Sequence, residues 1–455
     1  MSGCMKMGPD FQRPDTGAGV PETYQHAHVD KISVQPEDRW WTIFNDPELN
    51  RIVEQVLKNN LDIKKAAARI LELRSHFVQT RADRFPGLSV KGEGGRQRVS
   101  PGVETDVYNL SLPASFELDF WGRLARAQEA ARADLTQVEE NARIVAQTVA
   151  AEAITLYLEM ESLERRIQIT EQSVENYRRN LALVERRYEG GLTSILDLRQ
   201  SRRVLAQAEA FLPSLRQDLG IRQQKLAVLL GHYPGTRPPR SQPEDYFKRL
   251  APVPPGLPSD LLLRRPDIRA AEANLRALNA RVGVAKASRF PRITLTGSFG
   301  YSSSELDRLF RPESELWNIA LGVARPLFDA GKLKAGQKAA EARYKQELAE
   351  YAKTVLTAFS EVERALLTRK EQLERRDRIM NFLMEARATQ KVAESRYERG
   401  LVDYLTVLDA QQTRFQAEEN VVLVDLAILS NRVTLHRALG GGWADPTMPR
   451  RGKDL

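Results

Sequence analysis

The sequence predicts a mainly α-helical chain that carries membrane-type β-hairpins and is written twice. Three observations lead there. No proline occurs from 114 to 212 or from 327 to 445, which leaves room for very long helices. Short segments elsewhere alternate strictly between apolar and polar residues. The stretch RYEGGLTSILDL (187–198) returns as RYERGLVDYLTVLD (396–409), 209 residues further on.

Composition sets the outer bounds. The chain has 455 residues, 42% of them hydrophobic and 28% charged, with a mean hydropathy of −0.45. It has no run of 18 apolar residues, so no transmembrane helix is readable. A β-barrel escapes that test because it spans with short alternating segments. The net charge is +8. Its Arg and Lys interleave with Glu at helical spacing, as in RILELR (69–74) and EVERALLTRKEQLERR (361–376). Such patterns describe solvated helix faces rather than a nucleic-acid patch, and no RNA-binding or zinc-finger signature appears.

The elements follow in order. Residues 1–40 are rich in Pro, Gly and polar residues and predict an extended segment. Asn45-Asp46-Pro47 supplies a cap and a first-turn proline, and Leu49, Ile52, Val53, Val56 and Leu57 then share one helical face. A second helix is expected from Leu61 to Arg84, before Pro86. From Tyr108 to Phe120 the even positions are apolar or small and the odd ones polar, apart from Pro113. Leu88 and Val90, then Ile293, Leu295, Phe299 and Tyr301, then Trp317, Ile319, Leu321 and Val323 alternate likewise. These are four strand segments in two hairpins, with polar loops at 96–106 and 302–315. From Lys332 to Arg399 one apolar stripe (Leu348, Tyr351, Val355, Phe359, Val362, Leu366) marks a helix of roughly 100 Å at 1.5 Å per residue.

The repeat covers more than its tips. At an offset of 209, Leu226, Leu230 and Gly231 meet Leu435, Leu439 and Gly440, and Gly122-Arg123-Leu124 meets Gly331-Lys332-Leu333. At 205, Arg84-Phe85-Pro86 meets Arg289-Phe290-Pro291. The chain therefore divides into a segment 1–40, a first repeat 41–231, a Pro-rich connector 232–258, a second repeat 259–441 and a tail 442–455. The hairpins lie at about 86–120 and 291–328. Pro213 faces Val422 across the repeat, which predicts a kink or break in the first-half helix. Gly191 and Gly400 sit where a left-handed cap residue is expected, with Thr193 and Asp403 as N-caps of the following helices.

Four strands cannot close a membrane barrel, for which about eight is the minimum. Open edges in lipid leave backbone groups unpaired, so strands that face lipid require several copies in one barrel. Phe85, Trp121, Phe290 and Phe328 would form one interfacial belt, and Tyr108, Tyr301 and Trp317 the other. The competing reading is a soluble sandwich whose apolar faces pack together.

The one cysteine, Cys4, follows Ser2-Gly3. Small residues directly before a cysteine resemble the end of a bacterial lipoprotein signal; the charged and apolar regions of such a signal are missing, so this start looks trimmed. Nothing suggests an enzyme. His26 and His28 lie in a polar tail, and His76, His232 and His436 lack ligand-type neighbours. No phosphate-binding loop, nucleophile elbow or zinc-protease motif is present, and Glu139-Glu140 lies among compensating arginines. No cofactor and no metal site is expected.

Several motifs resemble the outer-membrane factor family, the TolC/OprM-like exit ducts, and within it the NodT-type lipoprotein branch. They are Cys4 with PDFQRP (9–14), WWTIFNDPELNRIVEQVLKNNLDIKKAAARI (40–70), RFPGLSV (84–90), LDFWGRL (118–124), the 187–198 stretch, LLLRRPDIRAAEANLRALNARVGVAKASRFPRITL (261–295), LFDAGKL (327–333) and RYERGLVDYLTVLDAQ (396–411). The resemblance implies a homotrimer whose pooled strands form a 12-stranded barrel in the outer membrane of a Gram-negative bacterium. Long helices continue it as a periplasmic α-barrel. Ser89, Lys91, Glu93, Ser111, Ser115, Thr294 and Thr296 would line water. Leu405 and Asp409 match the family's periplasmic gate, while Gln412 replaces an arginine found in some relatives. The hairpin tips, represented by Tyr188, Gly191, Leu192, Ser194, Tyr397, Gly400, Leu401 and Asp403, would meet a periplasmic adaptor, which couples the duct to an inner-membrane pump of the resistance–nodulation–division type. Cys4 would carry a covalent lipid in outer-membrane lipid. The implied function is a passive, gated exit duct for drugs or metals. Type I secretion, a structural coiled-coil protein and an adaptor-like periplasmic protein are the alternatives.

Overall fold

The computed structural model describes residues 6–14, 23–25, 39–235 and 264–441. Cys4, His26, His28, the tail 442–455 and all but the first residues of the connector 232–258 lie outside the described residues. The chain forms two compact units. One comprises Ala66–Ala142 and Asp267–Val355 with the described part of Met1–Gly19, and the other holds the remainder.

The helices repeat in length as well as in sequence. Helix α1 (Pro47–Asn59) and α2 (Leu61–Ala82) open the chain. Helices α3 (Arg123–Glu189) and α4 (Ile195–Leu229) follow, then α5 (Pro266–Ala287), α6 (Lys332–Glu398) and α7 (Tyr404–Ala438). Both α3 and α6 have 67 residues, both α4 and α7 have 35, and both α2 and α5 have 22. Equivalent helices start at the offsets of 209 and 205 read from the sequence. No helix among the described residues is long and apolar enough to cross a membrane.

The first unit is built on a sheet. Its strands are β1 (Gly87–Leu88), β2 (Lys91–Ser100), β3 (Val103–Glu117), β4 (Arg292–Ser303) and β5 (Glu315–Ala324). β1 and β2 pair successive parts of β3, with Ser89 N donating to Pro113 O between them (3.1 Å). They act as one strand, so the sheet is an antiparallel meander of four, ordered β1/β2–β3–β4–β5. The central pairing runs from Tyr108↔Ser303 to Glu117↔Thr294. Cross-strand partners share a face. Lys91, Ser111, Ser115, Thr294 and Thr296 therefore fall on one side; Leu110, Leu112, Phe116, Leu295, Phe299, Trp317, Ile319 and Leu321 fall on the other.

The expected loop at 96–106 is mostly strand. β2 and β3 continue to Ser100 and Val103, and the chain reverses at Pro101-Gly102, with Gly102 at φ +84°. Cross-strand ion pairs Arg96–Glu104 (3.4 Å) and Arg96–Asp106 (3.5 Å) lie along this extension. The second loop contains two 3-10 turns, Leu306–Arg308 and Pro312–Ser314. Trp121 stacks on Phe290 (4.8 Å) and donates its indole N–H to Pro291 O. Near the other end Tyr301 meets Phe310 edge-on (5.7 Å), an aromatic partner the alternation pattern did not single out. The described N-terminal residues are held by buried Arg126, whose guanidinium donates to Met7 O, Gly8 O and Asp10 Oδ1.

The second unit is helical. Asp46 caps α1 by accepting from Glu48 N and Leu49 N, and it also accepts from Tyr157 Oη (2.7 Å). One carboxylate thus sets both the start of α1 and its position against α3. The face of α1 predicted to be apolar is buried: Leu49, Ile52, Val53 and Val56 pack with Trp40, Trp41, Phe44, Ile154, Leu226 and Val433. Helix α4 is not broken at Pro213. That proline is exposed, so its ring faces away from the packed side of α4, and the helix continues past it to Leu229.

Candidate functional site

The two helical hairpins end in matching turns within the second unit. After α3, Gly191 adopts φ +68°, Gly191 N donates to Tyr188 O (2.9 Å) and Leu192 N to Arg187 O (2.8 Å). After α6, Gly400 adopts φ +74°, Gly400 N donates to Tyr397 O (2.9 Å) and Leu401 N to Arg396 O (2.9 Å). Both are helix C-caps with a left-handed residue and a six-to-one bond, a geometry that favours glycine.

The caps that restart the helices differ in one respect from the sequence reading. Ser194, not Thr193, caps α4. Its Oγ accepts from Asp197 N while Asp197 accepts from Ser194 N, a reciprocal box. Thr193 donates its hydroxyl to Asp197 Oδ2 instead (2.7 Å). Burial alone would raise the Asp197 carboxyl, but the hydrogen bonds from Thr193 and Ser194 outweigh it and hold the group below its ordinary value. Asp403 caps α7 as expected, accepting from Thr406 N (3.0 Å) and Thr406 Oγ1 (2.7 Å).

The tips expose apolar side chains. Leu192 is 74% exposed and Leu401 68%, and Tyr188 is also open to solvent. Ile195 and Leu196, at the start of α4, are exposed beside them. Tyr397 departs from the expected contact set. It is buried, 5.3 Å from Tyr404 between ring centroids, with the Arg187 guanidinium 4.7 Å above its ring. Tyr404 Oη shares a hydrogen bond with Ser201 Oγ (3.2 Å). These contacts tie the end of one hairpin to the other and take the Tyr397 side chain away from the surface. Leu405 and Asp409 lie one turn apart on a single face of α7, and both are exposed.

The chain matches the family model for outer membrane efflux proteins twice, over residues 52–232 and 257–441. The chain belongs to the outer membrane efflux protein family. Cation efflux system protein CusC of Escherichia coli O6:H1 is 32% identical over 448 residues, 97% of this chain and 96% of that protein. The probable outer membrane lipoprotein SilC of Salmonella typhimurium is 32% identical over 457 residues, 98% of this chain and 97% of that one. Among solved structures, the outer-membrane channel OprN superposes with a TM-score of 0.89 at 30% identity, covering 96% of this chain and 99% of that one. As a member of the outer membrane efflux protein family, the chain is an outer-membrane component of an efflux system and not an enzyme. Its fold class is that of the family's channels, mainly α with a membrane β part. The sandwich and soluble-scaffold alternatives are set aside.

Proposed function

We propose that three copies close their sheets into one 12-stranded barrel and form a passive, gated exit duct. The observation that carries the reading is the state of the sheet. Its outer edges, on β1/β2 and on β5, have no partner strand among the described residues. Its apolar face is open, with every residue of β5 exposed. Unpaired edges are intolerable in hydrocarbon, and joining β5 of one copy to β1/β2 of the next removes both. Two copies would give eight strands and an interior just filled by side chains. Three copies widen it enough for a water-filled lumen lined by the polar face.

The long hairpins then continue the duct into the periplasm. Rings of Leu405 and Asp409, one from each copy, narrow its inner end and act on ions there. The exposed tip residues Tyr188, Gly191, Leu192, Ser194, Gly400, Leu401 and Asp403 form the docking surface for the helical hairpins of a periplasmic adaptor, which links the duct to an inner-membrane pump of the resistance–nodulation–division type. No cofactor takes part. A lipid on Cys4 anchors each copy, a reading supported by the lipoprotein relative SilC.

Single-channel recording in planar bilayers tests this. The purified chain should give discrete conductance steps, and Leu405→Ala with Asp409→Ala should raise the open fraction. Folded protein that forms no pore, with or without those substitutions, overturns the proposal.

A further inference from the structure

The two helical hairpins of the second unit are held together alike. The ion pair Arg178–Glu209 (2.7 Å), which joins α3 to α4, returns at the offset of 209 as Arg387–Glu418 (2.9 Å) between α6 and α7. Arg202 donates to Glu185 (2.9 Å), and at the matching positions Gln411 donates to Glu394 (2.9 Å). Two hairpins of one build can make the same contacts, provided each has a neighbour of the same kind.

Within one chain only half of the matching side chains find that neighbour. The first hairpin gives Leu183 and Arg187. Leu183 packs against the cluster that holds Tyr397 and Tyr404. The Arg187 guanidinium lies 4.7 Å from the Tyr397 ring centroid, and its Nη1 donates to Tyr397 O (3.5 Å). The second hairpin gives the receiving side, Tyr397 and Tyr404. Left over are Val392 and Arg396, which match Leu183 and Arg187, and Tyr188 and Ile195, which match Tyr397 and Tyr404. All four left over are exposed, whereas their counterparts are half-buried or buried. Tyr188 is 40% exposed against 8% for Tyr397. Val392 and Arg396 also border an open hollow of about 350 Å³, with Val402 and Thr406 on its other side. One chain thus carries both halves of an unused contact on different surfaces. Such a contact is heterologous, and it closes into a ring of copies when the rotation allows.

We infer that the two halves meet between copies: Arg396 of one copy lies over the Tyr188 ring of the next, and Ile195 of that copy takes the place that Tyr404 has beside Tyr397. The occupant of the hollow is therefore a second copy of this chain. The inference rests on the proposed function, which sets three copies in a closed ring. Three such joints within copies then alternate with three between them. The guanidinium is attracted by the face of the ring, and covering Val392 and Ile195 removes apolar surface from water. Tyr188 enters the docking surface as part of a joint between copies, while Leu192 and Leu401 lie outside the joint.

The test uses the full-length chain in detergent, with Cys4→Ser to remove its one native thiol. Tyr188→Cys with Arg396→Cys, treated with a short bismaleimide, should give covalent dimers and trimers on a denaturing gel, since each link joins two copies. Gln207→Cys with Arg396→Cys should give none, because Gln207 lies about 12 residues beyond Ile195 on α4, roughly 18 Å away. All three positions are exposed, so the substitutions leave the packing of a single copy intact. A second measurement needs no thiols. Tyr188→Ala and Arg396→Ala should each lower the temperature at which the oligomer dissociates, and the double variant should lose no more than the worse single one, as coupled residues do. Tyr188→Phe, which keeps the ring, should match the wild type. Light scattering on the same preparations separates the two failures. Trimers that give no Tyr188–Arg396 link, equal linking by both cysteine pairs, or additive losses in the double variant reject the joint alone. A monomer rejects the duct and the joint with it.

Discussion

The sheet and the helical unit treat their large apolar side chains in opposite ways. Around α1 and α3, Phe44, Leu49, Ile154 and Tyr157 are all but inaccessible. Along β5, Trp317 is 71% exposed and Ile319 73%. The residue types are alike, so the difference lies in what they meet. Helices of one chain cover one another, whereas the sheet's outward face has no cover among the described residues. An apolar face of that extent on a single chain marks an interaction with another apolar phase or another molecule. In an outer membrane efflux protein that phase is the hydrocarbon of the bilayer.

This contrast can be broken from the helical side by acid. His436 stacks on Trp40 (4.8 Å), and its Nε2 is buried without a hydrogen-bond partner. Burial, reinforced by the charge of Arg432, lowers its pKa to about 3. The ring is therefore neutral in the fold at pH values where the unfolded chain is already protonated. Stability from this group is complete above about pH 6.5 and falls as pH drops towards 3, by about 5 kcal/mol over the whole window. Urea unfolding followed by helical circular dichroism should show that loss in the wild type and a flatter profile in His436→Asn. The same slope in both would reject the assignment.

From the sheet side a charge sharpens it. Ile319→Lys on the outward face should cost about 2–4 kcal/mol in a bilayer, whereas Thr296→Lys on the opposite face, next to the polar row, should cost far less. If copies pool their strands as proposed, a gel should show a heat-modifiable oligomer, depleted in the first variant and kept in the second. Equal behaviour would mean that the two faces do not meet different media.

The smallest effect concerns the tips. Gly400→Val forces a β-branched residue into the left-handed region, at about 1–2 kcal/mol, while Gly400→Asn fits there more easily. No neighbouring atom lies within 4 Å of a Cβ added at this glycine, so backbone conformation rather than crowding decides the outcome. Thermal unfolding should rank wild type above Asn above Val. Matching melting points for the two variants would show that the left-handed cap contributes little.

Particular residues show what was legible. The repeat offsets located three pairs of helices of equal length, because helix boundaries follow local signals such as Asp46-Pro47 and the tip glycines. Ser194 was legible too: the Ser-x-x-Asp spacing to Asp197 specifies a capping box, and the neighbouring threonine obscured it. The hairpin extension through 96–106 could have been read from Arg96 and Arg98 standing opposite Glu104 and Asp106. Tyr397 was not legible. It shares its motif with Tyr188, yet one is buried and the other exposed, since only one has Tyr404 and Arg187 packed against it.

The amino-acid order by itself determined the doubled plan, the alternation that separates a wet from an oily strand face, and the turns that end each hairpin. Those depend on period and on backbone preference, which act over a few residues. The tertiary structure alone decided which of the two motif tyrosines is withdrawn, and that α4 runs unbroken through an exposed Pro213. Those depend on which distant side chains are brought together, a matter of packing that no local pattern encodes.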